Sequence, residues 1–235
     1  METLTNRTVG EIAAEVPAAI GIFERYQIDY CCGGRTPLSD ACAAAGITLD
    51  DFRSALDATS AAPEGGLDWT QRTLTELHTY LVSRYHVHAR EELDTISRLA
   101  AKVLSVHGTR HQELASVSGL VAALIDDMLP HMLKEEKVLF PYVEQLETSD
   151  ETPASCFGSL ENPVRVMLME HESVGELLRA LRTTTAGFVP PDDACFSYRE
   201  LYNRLAAFEK ETHEHIHLEN NVYFPKALAL ECGGA

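Results

Sequence analysis

Apolar side chains recur every three to four residues along most of the chain, the spacing of one helix face, and the alternation of strands is hard to find. The pattern predicts four long helices, at about 69–106, 112–146, 161–185 and 197–229. Gly108 ends the first, residues 148–160 join the second to the third, and GFVPPDDAC (187–195) joins the third to the fourth. Short links make antiparallel neighbours of helices one and two, and of three and four. The expected fold is all-α, a four-helix bundle over 69–230. Residues 1–57 carry shorter helical patterns, opened by Thr8 and Glu11 at capping-box spacing. ATSAAPEGGLD (58–68), small, polar and broken by Pro and Gly, reads as a linker. So short a first domain buries little core of its own, so it is expected to dock or to dimerise.

One phrase occurs twice within this pattern. LPHMLKEEKVLFP (129–141) and HEHIHLENNVYFP (213–225) agree when His131 is laid on His215. Each then reads His, Glu four places on, Phe nine on and Pro ten on. Helices one and three repeat as well: laying His86 on His171 brings Glu91 onto Glu176 and Leu93 onto Leu178. His86 precedes His131 by 45 residues, and His171 precedes His215 by 44. One helical hairpin used twice, about a pseudo-twofold axis, accounts for the repeat.

Residues i and i+4 of a helix lie about 40° apart and one turn along, so His131 points with Glu135 and His215 with Glu219. Counting back and forward from the turn at Gly108 puts His86 and His131 level, and the repeat does the same for His171 and His215. Four imidazoles and two carboxylates are therefore expected at one depth of the bundle. Carboxylates buried there are costly unless they bind metal or pair with charge. A single His-x-x-x-Glu pair is usually a surface pair, but two copies with two register-matched histidines are not. Six ligands exceed the needs of one tetrahedral zinc and suit two ions bridged by shared carboxylates. Iron is the first choice and manganese the second, with positions open for a solvent bridge or a small ligand.

The other histidines are set apart by position. His88 and His217 stand about 200° round their helices from a ligand and are expected to face solvent. His78, His111 and His213 have no repeat partner. His107 lies roughly 31 Å along a straight helix from His86, so it is a ligand only if that helix breaks. Glu170 precedes a ligand and suits either an outer layer of the metal site or a solvated face. Pro130 is expected to kink helix two, while Phe140-Pro141 and Phe224-Pro225 read as core plugs at helix bends.

Charge and cysteine content narrow the setting. A formal net charge of −17 over 235 residues disfavours nucleic acid and anionic membranes as partners. No uninterrupted apolar run has the length of a membrane span, and the acidic start does not resemble a signal peptide. The expected compartment is the cytoplasm, with Cys31, Cys32, Cys42, Cys156, Cys195 and Cys232 reduced. Cys31 and Cys32 are adjacent and followed by two glycines, a pattern open to a redox pair, a metal site, a thiol partner or plain packing.

YQIDYCCGGRTPLSDAC is similar to the amino-terminal signature of the repair-of-iron-centres family, the ScdA/YtfE/DnrN type of di-iron protein. RYHVHAREEL, HMLKEEKVLFP, MEHESVGELL and HIHLENNVYFP resemble, in order, the hemerythrin-like domain of the same family. The resemblance spans nearly the whole chain. It implies a hemerythrin-like bundle with two non-haem irons, oxo- or hydroxo-bridged, and repair of iron–sulfur clusters damaged by nitric oxide or peroxide. The family's ligands fall on His86, His131, Glu135, His171, His215 and Glu219, its cysteine pair on Cys31 and Cys32, and a further histidine linked to its centre on His107. Damaged iron–sulfur proteins are the implied partners, a homodimer the expected assembly, and iron supply the first mechanism. Reduction of nitric oxide or peroxide at the irons competes with it. A dioxygen carrier or sensor is a third reading, which leaves the cysteine pair unexplained.

Overall fold

The computed structural model describes residues 7–59, 68–149 and 153–233. Most of the expected linker, residues 60–67, lies outside them. The chain divides into two compact units, Met1–Leu77 with His213–Ala235, and His78–Thr212.

The helices are α1 (Val9–Glu15), α2 (Ile20–Tyr26), α3 (Leu38–Ala44), α4 (Leu49–Thr59), α5 (Leu74–Tyr80), α6 (Val87–His107), α7 (Glu113–Lys134), α8 (Phe140–Thr148), α9 (Glu161–Thr184), α10 (Phe196–Leu218) and α11 (Phe224–Glu231). Single π turns, Leu81–His86, Glu135–Leu139 and Glu219–Tyr223, fuse α5 to α6, α7 to α8 and α10 to α11. The resulting four rods end within a few residues of the four predicted helices.

In the unit His78–Thr212, α7 packs on both α6 and α9. Their buried stripes follow helical spacing: Leu93, Ile96, Ala100 and Val103 on α6, Val117, Val121, Leu124 and Met128 on α7, Val174, Leu178 and Leu181 on α9. The amino-terminal turns of α10 complete the bundle through Leu201, Leu205 and Phe208. They are tied to α6 by Arg204–Glu92 at 2.8 Å and to α9 by Arg182–Glu209, whose guanidinium Nε donates to Oε1 at 3.1 Å.

The duplicated Phe-Pro explains two of the π turns. Pro141 has no N–H and its ring crowds the carbonyl four residues back, so a regular ladder loses a bond and is strained there. The ladder slips by one residue instead, and the amide of Phe140 bonds the carbonyl of Glu135, five residues back. Phe224 bonds Glu219 in the same way ahead of Pro225. Each slip begins at the predicted ligand glutamate and re-aims it. α7 continues as an α-helix through Pro130, and the change of ladder follows at Glu135.

By length and composition alone the stretch Glu113–Thr148 is long and apolar enough to cross a membrane, which the absence of an uninterrupted apolar run did not suggest. It carries the buried His131 and Glu135, and the core helix of a bundle meets the same criteria.

In the other unit, α1–α4 close around Ile12, Phe23, Tyr30, Leu38 and Phe52. Phe23 stacks on Phe52 with ring centroids 5.4 Å apart. Thr8 and Glu11 form the predicted capping box. This small core is anchored on the π turn at Glu219–Tyr223: Asn220 Nδ2 donates to the Cys31 carbonyl at 3.1 Å and Asn221 Nδ2 to the Tyr30 carbonyl at 3.0 Å. The approach requires glycine. A Cβ on Gly34 would stand 2.3 Å from Asn221 Oδ1, and one on Gly10 the same distance from that atom. Gly34→Ala is therefore expected to destabilise the protein by about 1–3 kcal/mol, the usual cost of overpacking, read as a fall in the chemical-denaturation midpoint. An unchanged midpoint would show that this contact is not tight.

Candidate metal centre

His86 closes the π turn before α6, His131 lies in the last turn of α7, Glu135 opens the next π turn, and His171 lies midway along α9. All four are buried, Glu135 completely. Glu135 Oε2 stands 3.5 Å from His86 Nε2, and its Oε1 stands 3.4 Å from His131 Nε2. Neither oxygen has a hydrogen-bond partner. His171 Nε2 approaches His131 Nε2 at 3.0 Å, and the ligand atoms of His131, Glu135 and His171 lie within 4.8 Å of one another. His215 and Glu219 belong to the other unit and form their own buried pair, Nε2 to Oε1 3.0 Å apart.

A fully buried carboxylate with both oxygens orphaned is expensive unless a cation neutralises it. Glu135 presents one oxygen toward each of two imidazoles, which is how a carboxylate is placed to bridge. Mixed imidazole and carboxylate donors suit iron or zinc rather than a hard, oxygen-only ion. The residues present thus fit a metal ion.

The hemerythrin HHE cation binding domain model matches residues 77–227, which include all six of these residues. A second model, ScdA_N, a domain of unknown function, matches residues 5–60. The iron-sulfur cluster repair protein YtfE of Yersinia pseudotuberculosis serotype IB (strain PB1/+) is 34% identical over 226 residues, 96% of this chain and 98% of the relative. The protein of the same name from Yersinia pestis (strain Pestoides F) matches to the same extent. The chain belongs to the hemerythrin HHE family, with the YtfE-type repair proteins.

In this hemerythrin-family site an outer layer of carboxylates orients the imidazoles. Glu136 Oε1 takes the Nδ1 proton of His86 at 2.8 Å and is itself held by Arg90 at 2.8 Å. Glu170 Oε2 does the same for His131 at 2.9 Å and is held by Lys134. Each fixes the proton on Nδ1 and leaves the Nε2 lone pair facing Glu135. His131 and Lys134 hold the Glu170 carboxyl down to about 2 although burial works the other way. For Glu136, burial raises the pKa but Arg90 and His86 outweigh it, and the net shift is downward. Sequence reasoning singled out Glu170 and missed Glu136. The available signal was Arg90, one turn beyond His86 and in want of an acid.

Phe140 is the plug its motif suggested, buried and stacked on the rings of His86 at 5.9 Å and His78 at 5.3 Å. His107 is not brought to the site. α6 runs without a break from Val87 to His107, so the length of the helix separates it from His86. His88 is half-exposed and pairs with Glu211. His217, expected to face solvent, is buried: Tyr30 covers it, ring centroids 5.4 Å apart, and Asn221 donates to its Nδ1 at 3.0 Å. Burial pulls its pKa down to about 4, so it packs as a neutral ring.

Cys31 and Cys32 lie in the loop between α2 and α3, their sulfurs 3.8 Å apart and unbonded. Asp29 Oδ1 organises the loop by accepting the amides of Cys31, Cys32 and Gly33 at 3.2, 2.9 and 2.9 Å. The hydrogen bond with Cys32, burial and the Asp29 charge push the Cys31 thiol well up, so it stays protonated.

Glu170→Ala removes the acceptor that fixes His131. Apparent iron affinity, measured by chelator competition, is expected to fall about 10–100-fold, with little change in the helical circular dichroism. Unchanged affinity would reduce the Glu170 contact to a surface ion pair.

Proposed function

We propose that this chain repairs iron–sulfur clusters damaged by nitrosative or oxidative stress by supplying iron from one centre held by His86, His131, Glu135, His171, His215 and Glu219. The observation that carries this reading is the carboxylate of Glu135, fully buried, without hydrogen bonds and facing two imidazoles through different oxygens. Four imidazoles and two shareable carboxylates suit about two iron ions with a solvent bridge. Bound iron supplies a redox-active cation with few protein ligands per ion, which favours its release. Glu136 and Glu170 hold the protons of His86 and His131 at Nδ1 and so keep the donor atoms aligned. The relatives' name, iron-sulfur cluster repair protein, agrees with this reading.

The domain plan that accompanies it is 1–57 as a small ScdA-type domain, 58–68 as the linker and 69–230 as the bundle. The setting is the cytoplasm, the clients are damaged iron–sulfur proteins, and the assembly is a homodimer. Cys31 and Cys32 dock the client or receive the iron. Cys31 is held protonated, so it would take up a cation only by giving up its proton.

Iron analysis of the purified protein is expected to give about two ions per chain, and either Glu135→Ala or Glu219→Ala to lose most of both, since a bridging carboxylate serves both ions. Full retention in both variants would exclude bridging. Anaerobic mixing of the reduced protein with nitric oxide, following nitrous oxide and iron transfer to an apo-ferredoxin together, tests the function. Iron transfer supports supply, whereas nitrous oxide without transfer supports reduction instead.

The double variant Cys31→Ser/Cys32→Ser is expected to keep its iron and melting temperature while failing to repair a nitrosylated cluster. Normal repair with normal iron would leave the thiols a packing role only.

A further inference from the structure

The end of α6 away from His86 carries a second side-chain cluster, His107 with Cys195. We propose that Cys195 is a nucleophilic thiol, positioned by His107, that forms mixed disulfides with small-molecule disulfides. His107 is the last residue of α6, and only 4% of it is exposed. Its Nε2 stands 3.2 Å from Cys195 Sγ, and its Nδ1 has no hydrogen-bond partner. A buried N–H without an acceptor is rarer than a buried lone pair without a donor. The proton therefore sits on Nε2 and is donated to the sulfur.

Cys195 also stands immediately before α10, and its carbonyl accepts the amides of Tyr198 and Arg199 in the first turn of that helix. A helix amino terminus and an imidazole N–H both stabilise negative charge on sulfur. The imidazole is held in place by its neighbours: its ring lies 5.5 Å from Tyr198 and 6.2 Å from His111. The nearby acids are occupied elsewhere, Asp193 with His111 at 3.0 Å and Glu113 with Tyr198 at 3.1 Å. Cys195 itself is exposed.

In the exchange, Cys195 loses its thiol proton to solvent and the sulfur attacks one sulfur of the disulfide. The new S–S bond forms as the old one breaks, and the departing half leaves as a thiolate that takes up a proton. The disulfide is the oxidant, and no other reagent is needed.

Two further exposed cysteines, Cys156 and Cys232, serve as internal references, since among the described residues no side chain bonds either sulfur. The full-length, iron-loaded protein is treated separately with iodoacetamide and with oxidised glutathione, and each cysteine is followed by peptide mass spectrometry. Cys195 is expected to react about tenfold or more faster than Cys156 and Cys232 with both reagents. His107→Ala should bring it down to their rate without changing theirs, and His107→Gln, which restores an N–H donor, should recover part of the difference. Should His107→Ala also expose the buried Cys42, the wild-type ranking and His107→Gln decide. Equal rates at the three exposed cysteines of the wild-type protein, or a Cys195 rate that neither His107 variant lowers, would overturn the proposal.

Discussion

A carboxylate shut away from solvent without a hydrogen-bond partner is the constraint on which the bundle is organised. Glu135 is completely buried, and its two oxygens face the Nε2 atoms of His86 and His131. In an apolar interior such a charge costs several kcal/mol unless a cation offsets it. The arrangement is therefore one that folding alone does not favour and metal binding does. The outer carboxylates follow from the same demand. An imidazole offers a lone pair at Nε2 only if its proton is kept at Nδ1, and Glu136 and Glu170 keep it there.

The backbone contributes as much as the side chains. Pro141 and Pro225 each remove a bond from the regular ladder, and it slips by one residue just upstream of each. In both repeats the slip starts at the glutamate of the duplicated His-x-x-x-Glu. The proline ten places after the histidine thus controls the local register from which Glu135 and Glu219 project. The remaining helix, α9, has no such slip, and it supplies a histidine but no ligand carboxylate.

Within the unit Met1–Leu77 with His213–Ala235, the amino-terminal helices are bonded to residues 213–235 through backbone carbonyls. Asn220 and Asn221 directly follow Glu219, and they hold the carbonyls of Cys31 and Tyr30. The cysteine loop is thereby tied to the π turn that carries Glu219. Asp29 gathers three successive amides beneath the two thiols and so orders the loop.

The helix rods, the duplicated His-x-x-x-Glu and the capping box at Thr8 were all legible in the chain, because each depends on spacing along one helix. Periodicity states which residues share a face, and a repeat states which faces are equivalent. Neither states what covers the opposite face. His217 was assigned to solvent from its angle alone, yet Tyr30, 187 positions earlier in the chain, lies over it. Glu136 was passed over because its partners, His86 and Arg90, lie on another helix. The pairing of His107 with Cys195 joins residues 88 apart, one at the end of α6 and one at the start of α10. The sequence by itself determined the helices, their repeat and the donor atoms, since these are local. Tertiary structure decided which polar groups lose water and which neighbours orient them, because burial is set by distant segments that no local pattern identifies.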